Sequence, residues 1–91
     1  QLTCEQPDSE TFRNLALAFN ALSREGNAAC ILNAANEVVV SAFLEDKISF
    51  LGMSDVIENC LDKIHFVKTP SLEDYISTDK ETRIKALELI N

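Results

Sequence analysis

The sequence has little glycine and proline, with two of each among 91 residues, and it has no tryptophan. This scarcity, together with a hydrophobic fraction of 46%, excludes a collagen-like repeat, a disordered tail and a flexible linker. Two glycines are also too few for the glycine-rich loop that cradles a nucleotide phosphate. We therefore expect one small folded domain without a cofactor-binding residue of its own.

Positive charge is also scarce. Fifteen Asp and Glu residues outnumber eight Lys and Arg residues, so the net charge is −7. This balance opposes binding to a phosphate backbone or to anionic lipid. No apolar run approaches the roughly 18 residues that span a bilayer, and no basic segment precedes an apolar stretch as in a secretory signal. We expect a cytoplasmic protein with no nucleic-acid partner and no membrane contact.

The residue types that most often carry catalysis or bind metals are few and dispersed. Cys4, Cys30 and Cys60 form no Cys-x-x-Cys pair, which predicts small buried or half-buried thiols rather than disulfides or a zinc site. His65 is the only histidine. Pairs of neighbouring carboxylates fall at expected helix ends, where they cap the helix or are solvated: Glu45-Asp46, Glu73-Asp74, and Asp79 with Glu81. The sequence therefore offers no candidate catalytic residue and no candidate metal ligand.

Apolar residues recur at spacings of three and four, which is typical of amphipathic helices. The second helix is expected over residues 28–45 with Asn27 as its N-cap, and Gly26 can end the first in a left-handed conformation. The apolar stripes of the first three helices are Phe12, Leu15, Ala16, Phe19 and Leu22; then Ala28, Ile31, Leu32, Ala35, Val38, Val39, Ala42 and Phe43; then Met53, Val56, Ile57, Cys60, Leu61 and Ile64.

Two signals for a helix start follow Pro70. Ser71-Leu72-Glu73-Asp74 predicts a short helical segment to about Ile76, and Thr78-Asp79-Lys80-Glu81 predicts a capping box that opens the last helix. Strand signals are weak and limited to residues 64–68. The predicted fold class is all-α, a compact bundle of about four helices plus one short helical turn.

The chain divides into two unequal parts. Residues 1–11 lack helical periodicity and are expected to form an extended lead-in, while residues 12–91 are expected to form the helical bundle. Residue 1 is Gln, and the only methionine is Met53. We therefore expect a chain that is processed or that belongs to something longer.

The second side of the second helix is unusual because it carries no Lys or Arg. It combines the polar residues Asn33, Asn36 and Glu37 with apolar residues that include Val40 and Leu44. A solvated helix face normally holds several charges. The helix is thus either central in the bundle or docked on something outside these residues. The three polar residues form either a structural hydrogen-bond network or, as the alternative, a contact with a ligand.

One string of residues resembles a known family. Leu32-Asn33-Ala34-Ala35-Asn36-Glu37-Val38, followed by Ala42-Phe43-Leu44 and by Ile48 and Phe50, resembles the C-terminal helical domain of 1-deoxy-D-xylulose 5-phosphate reductoisomerase. The resemblance extends to Leu2-Thr3, Pro7-Asp8, Leu15-Ala16-Leu17-Ala18 and Ser71-Leu72-Glu73-Asp74, and so covers nearly the whole chain. Cys4 replaces the family's usual Phe, and Leu51 replaces a capping Thr, which implies a weaker or shifted start of the third helix.

The resemblance implies a parent enzyme that converts 1-deoxy-D-xylulose 5-phosphate to 2-C-methyl-D-erythritol 4-phosphate in non-mevalonate isoprenoid biosynthesis. Such a parent binds NADPH in an N-terminal domain and a divalent metal of the Mg or Mn type in a central catalytic domain, which also forms a homodimer. The implied role of the present chain is structural: it supports the central domain, from which residues 1–11 would lead in, and is inactive alone. The alternative is a free-standing acidic helical module that binds another protein.

Overall fold

Four helices make up the part of the chain that the structure describes. The structure is a computed structural model that describes residues 9–90, with side chains from residue 12 onward. The helices are α1 (Ser9–Arg24), α2 (Ala28–Leu44), α3 (Phe50–Lys63) and α4 (Leu72–Ile90), and residues 9–90 contain no strand. The all-α class and the four helices are confirmed. Residues 9–11 of the expected lead-in are helical, and residues 1–8 lie outside the described residues.

The prediction of a short helical turn followed by a separate last helix is wrong, because α4 is one continuous helix. Ser71 caps it: the Asp74 amide donates to Ser71 Oγ at 3.2 Å, and the Ser71 amide donates to Asp74 Oδ2 at 3.0 Å. The helix then runs through Thr78, which the sequence placed at a second start. Thr78 is buried, and its hydroxyl accepts a hydrogen bond from Asn27 instead of capping an amide.

The third helix begins earlier than its apolar stripe indicates. The Gly52 amide donates to Ser49 Oγ at 3.1 Å, so Ser49 is the N-cap and α3 starts at Phe50. A hydroxyl that satisfies a free first-turn amide fixes the start of a helix. Residues 50 and 51, which precede the apolar stripe, therefore belong to α3.

The helices α2 and α3 form the middle of the fold. Each of them contacts both α1 and α4 as well as the other, whereas α1 and α4 do not meet within residues 9–90. The Cα atoms span 46 × 29 × 16 Å, so the arrangement is flat, with α1 and α4 on opposite sides of the central pair. Because the arrangement is flat, a large share of the helix surfaces is not covered by other residues of the described range 9–90.

Small side chains let the helices approach closely in the core. Ala21 of α1, Ala28 and Ala35 of α2, and Ala86 of α4 are completely buried. The larger members of the same cluster come from α2 and α3: Ile31, Val39, Met53, Val56, Ile57, Cys60 and Leu61. The core thus joins all four helices, with alanines at the places where α1 and α4 meet the central pair.

Asn27 lies at the predicted N-cap position of α2, but its side chain makes tertiary contacts and no capping hydrogen bond. Its Nδ2 donates to the carbonyl of His65 at 3.0 Å and to Thr78 Oγ1 at 2.9 Å, and its Oδ1 accepts from the Val67 amide at 2.8 Å. The Asn27 amide also donates to the Val67 carbonyl at 3.0 Å. One fully buried residue thereby joins the α1–α2 turn, the α3–α4 connection and α4.

Gly26 allows this close approach. Its φ is +57°, in the left-handed region where glycine has no steric cost. A Cβ at this position would overlap the Val67 carbonyl oxygen and would lie 2.9 Å from Lys68 Cα. The turn therefore requires glycine both for its conformation and for the space beside residues 67–68.

We expect Asn27→Ala to lower the free energy of unfolding by about 3 kcal/mol. The change removes a hydrogen-bond partner from the Val67 amide, the His65 carbonyl and the Thr78 hydroxyl. Each buried polar group left without a partner costs roughly 1–3 kcal/mol. Urea unfolding followed by far-UV circular dichroism measures the change. The control is Asn20→Ala on exposed α1 surface, which should stay within about 0.5 kcal/mol. Equal stabilities for the two variants would contradict the assigned role of Asn27.

Two buried threonines on α4 provide a matched pair for a second prediction. Thr78 Oγ1 accepts from Asn27, whereas Thr82 Oγ1 is buried and has no hydrogen-bond partner. Thr78→Val should therefore destabilise the chain by about 1–2 kcal/mol, while Thr82→Val should be neutral or stabilise it by up to about 1 kcal/mol. Valine and threonine have similar helix propensities, so the difference in Tm between the variants reports the hydroxyls. A larger drop in Tm for Thr82→Val than for Thr78→Val would contradict this expectation.

Candidate docking surface

The apolar stripe of α1 points away from the domain's own core. Phe12, Leu15, Phe19 and Leu22 are 49 to 66% exposed. The other side of the helix packs inward through Leu17 and Ala21, which contact the core cluster. We call the four exposed residues the α1 face. Contiguous apolar patches of this kind on a soluble domain mark interaction surfaces.

A groove runs beside the α1 face, between α1 and α2. It is open, encloses about 430 Å³, and is lined by Asn14, Ala18, Leu22, Ala29, Leu32, Asn33, Asn36 and Ile57. We call it the α1–α2 groove. Its lining contains no charged side chain, although the chain as a whole carries a net charge of −7. The groove is therefore suited to apolar contact and to hydrogen bonds with carboxamides, not to an ionic ligand.

The structure divides the predicted group of Asn33, Asn36 and Glu37. Asn33 and Asn36 line the α1–α2 groove. Glu37 is turned toward α4, where its Oε1 accepts from Arg83 Nη2 at 2.7 Å. A long hydrogen bond of 3.5 Å from Asn33 Nδ2 to Glu37 Oε2 links the asparagines to Glu37. The structural network therefore consists of Glu37 with α4, and the two asparagines lie at the surface.

Val40 and Leu44 continue the exposed side of α2 beyond the asparagines. Val40 is partly exposed, and Leu44 is 75% exposed beside the edge-to-face pair of Phe43 and Phe50, whose ring centroids lie 6.2 Å apart. On the other side of α2, Ala34 is completely buried, and Cys30 Sγ donates to the Tyr75 carbonyl of α4 at 3.6 Å. The second helix is thus central in the domain and still has an uncovered side.

Arg83 is the partner that sequence analysis missed. Its Nε donates to Asp79 Oδ2 at 3.0 Å in addition to its contact with Glu37, and these two carboxylates raise the pKa of its guanidinium. The spacing of Asp79 and Arg83, four residues apart on one helix, was the available signal. The link to α2 was not readable, because it depends on how α4 lies against α2.

A second arginine links α1 to α3 through two ion pairs. Arg13 donates to Asp55 Oδ1 at 2.8 Å and to Glu58 Oε1, and both contacts raise the pKa of the Arg13 guanidinium. Nearby, the Ser54 hydroxyl donates to Asn14 Oδ1 at 2.6 Å. These contacts hold the inner side of α1 in place, so the α1 face is presented in one fixed orientation.

The cysteines of the described part are protonated at neutral pH. Burial raises the pKa of the Cys60 thiol to about 11, and burial together with Asp79 raises the pKa of the Cys30 thiol. The predicted buried and half-buried thiols are confirmed for these two residues, while Cys4 lies outside the described residues. Within residues 9–90 no three potential metal ligands gather, and none of the helices there is long and apolar enough to cross a bilayer.

Comparisons with known proteins agree on one family. The model of the DXP reductoisomerase C-terminal domain matches residues 1–85. A 1-deoxy-D-xylulose 5-phosphate reductoisomerase of Phocaeicola vulgatus is 63% identical over 90 residues, which are 99% of this chain and 24% of that protein. The enzyme of the same name from Caldanaerobacter subterraneus is 48% identical over 83 residues, 91% of this chain and 22% of that protein.

A solved structure has the same fold. It is 1-deoxy-D-xylulose 5-phosphate reductoisomerase from Zymomonas mobilis in complex with NADPH, with a TM-score of 0.80 and 41% sequence identity. The match covers 100% of this chain and 24% of that one. The chain therefore spans about a quarter of the length of the proteins it resembles.

The raised thiol pKa predicts a pH dependence of stability. An unfolded thiol has a pKa of about 8.5, whereas burial raises the pKa of the folded Cys60 thiol to about 11 because it disfavours the thiolate. The contribution of this group to stability is therefore complete below about pH 8.5 and is lost as the pH rises toward 11. We expect the difference in unfolding free energy between the unchanged chain and Cys60→Ala to shrink between pH 8 and pH 10.5, measured by urea titration. A constant difference would mean that the thiolate is not disfavoured in the fold.

Proposed function

The chain belongs to the family of DXP reductoisomerase C-terminal domains, and we propose that it is the structural domain that supports the central catalytic domain of a reductoisomerase. The parent chain converts 1-deoxy-D-xylulose 5-phosphate to 2-C-methyl-D-erythritol 4-phosphate with NADPH. The present residues contribute contact surface and are inactive alone. The matching region is about a quarter of each related protein, which leaves the chemistry to the remaining three quarters.

The exposed α1 face carries this proposal. An apolar side chain contributes roughly 1.5–3 kcal/mol when it passes from full exposure to full burial, and the four residues of the face are each about half exposed or more. A domain that folded for itself alone would turn this stripe inward. Its outward orientation, fixed by Arg13 and Asn14, fits a surface that is buried against the rest of a longer chain.

The cofactors of the parent are proposed to bind outside this chain. The Zymomonas mobilis relative is in complex with NADPH. The described residues do not fit a divalent cation of the Mg or Mn type, because residues 9–90 bring no three potential ligands together. The two glycines of the sequence do not form a dinucleotide-binding loop. We accordingly assign no catalytic, cofactor-binding or metal-binding residue to this chain. We also propose that the parent enzyme is a cytoplasmic homodimer, as the family resemblance implies.

A free-standing binding module is not favoured as an alternative. Such a module would have relatives of about its own length, whereas the relatives described above are about four times as long. The match over 99% of this chain at 63% identity also shows that nearly the whole domain is shared with one of those longer proteins.

A matched pair of substitutions tests the docking role of the α1 face. Leu15 on α1 and Ile84 on α4 are both 49% exposed and lie in the middle of their helices. Leu15→Asp in the intact parent enzyme should reduce kcat/KM by tenfold or more, because a carboxylate would be buried against the catalytic domain without a partner. Ile84→Asp should leave kcat/KM within about twofold of the unchanged enzyme.

The folding of each variant is measured separately. Both substitutions replace a half-exposed side chain, so the Tm of the 91-residue chain should change by a similar small amount for each. A loss of kcat/KM only for Ile84→Asp would place the contact on α4. Equal kcat/KM for both variants and the unchanged enzyme would contradict the proposal.

A further inference from the structure

We propose that the α1–α2 groove binds an extended segment of the parent chain, taken from the part outside these 91 residues, through hydrogen bonds from Asn33 and Asn36 to its main chain. The inference rests on the proposed function, since it names the partner of one part of the docking surface. The occupant is a main-chain segment of the same polypeptide, not a second copy of the domain and not a small ligand.

The chemistry of the groove fits a polypeptide backbone. A carboxamide carries both a donor and an acceptor, so it matches the N–H and C=O groups that a peptide unit offers. Asn33 and Asn36 are exposed, and within residues 9–90 the side chain of Asn33 makes only the long 3.5 Å hydrogen bond to Glu37. Asn14 on the opposite side is already engaged by Ser54. The two asparagines of α2 are therefore the groups available to a segment in the groove.

The spacing of the two asparagines also fits an extended chain. Residues three apart on a helix have Cβ atoms about 5–6 Å apart. In an extended chain, equivalent main-chain groups that face one side recur every two residues, or about 6.6 Å. Asn33 and Asn36 can thus reach two successive peptide groups on the same side of one segment, while Ala18 and Ala29 leave room for a backbone to approach closely.

The dimensions and charge of the groove set the size and kind of the occupant. From Asn14 to Leu22 the helix α1 advances about 12 Å, which is the length of about four extended residues. The lining is uncharged, so the expected segment carries small or apolar side chains and no charge at these positions. Three quarters of each related protein lies outside the matched region, so the parent has ample chain to supply such a segment.

Photo-crosslinking in the intact parent enzyme identifies the occupant. A diazirine analogue of leucine is placed at Leu32 in the groove lining, at position 15 on the α1 face, or at the exposed position 80 of α4 as a control. Position 32 should link within its own chain to a short run of residues outside the 91, and position 80 should give at least tenfold less product. Mixing enzyme with heavy and light isotopes separates links within one chain from links between two copies.

Each alternative result overturns the inference in a distinguishable way. A link from position 32 between heavy and light chains identifies a second copy as the occupant. No link from position 32 while position 15 links to the parent chain rules out the groove segment and leaves the proposed function in place. No link from either position contradicts both the groove segment and the proposed docking function.

Hydrogen exchange in the intact enzyme tests the role of the carboxamides. Asn36→Leu keeps a side chain of similar size but has no donor or acceptor. It should speed amide exchange in the crosslinked segment on the order of tenfold, the effect of losing about one hydrogen bond. Asn20→Leu on exposed α1 surface is the control and should leave that exchange unchanged. Unchanged exchange in Asn36→Leu would show that the segment is held by apolar contact alone, which contradicts the proposal.

Discussion

The buried side chain of Asn27 is the constraint on which the rest of the arrangement depends. Its carboxamide uses Nδ2 and Oδ1 on three different partners, and its own amide pairs with the Val67 carbonyl. In the low dielectric of a protein interior such a satisfied group is strongly specific, because any displacement leaves several polar atoms without partners. The direction in which α2 leaves the turn, and the position of residues 65–67 against it, are therefore set together.

The position of α2 in turn determines which surfaces remain uncovered. With residues 65–67 fastened to the α1–α2 turn, α4 starts beside α2 and packs along one side of it. The helix α1 is left to pack on the other flank, where α4 does not reach it. Residues 9–90 form a small, flat arrangement with no further helix to cover the α1 face. The exposure of this stripe within residues 9–90 follows from the topology, and chain outside those residues would be needed to remove it from water.

Periodicity and helix-end signals were sufficient for the class of the fold and for the start of α2, but not for the roles of individual polar residues. The α2 stripe and the start of a helix after Pro70 were predictable because they depend on neighbours in sequence. Asn27 and Thr78 carry the same local signals as true caps, yet each is used in a contact about 50 residues away along the chain. The α1 stripe likewise shows that a helix has an apolar side, and it does not show whether that side meets its own core or another domain.

Four asparagines of this chain have different roles, and the roles follow from how deeply each side chain is buried. Asn27 is fully buried and fully paired, so it serves the fold. Asn14 is half-buried and receives the Ser54 hydroxyl, so it fixes the orientation of α1. Asn33 and Asn36 are exposed along the α1–α2 groove and do not support the domain's own core. Asparagine is a mediocre helix former, so its use twice within one exposed turn of α2 brings no benefit to the isolated domain. In the proposed arrangement the benefit arises when a segment of the parent chain brings its peptide groups to the groove, which would make these two positions part of the docking surface and leave Asn14 and Asn27 to the fold.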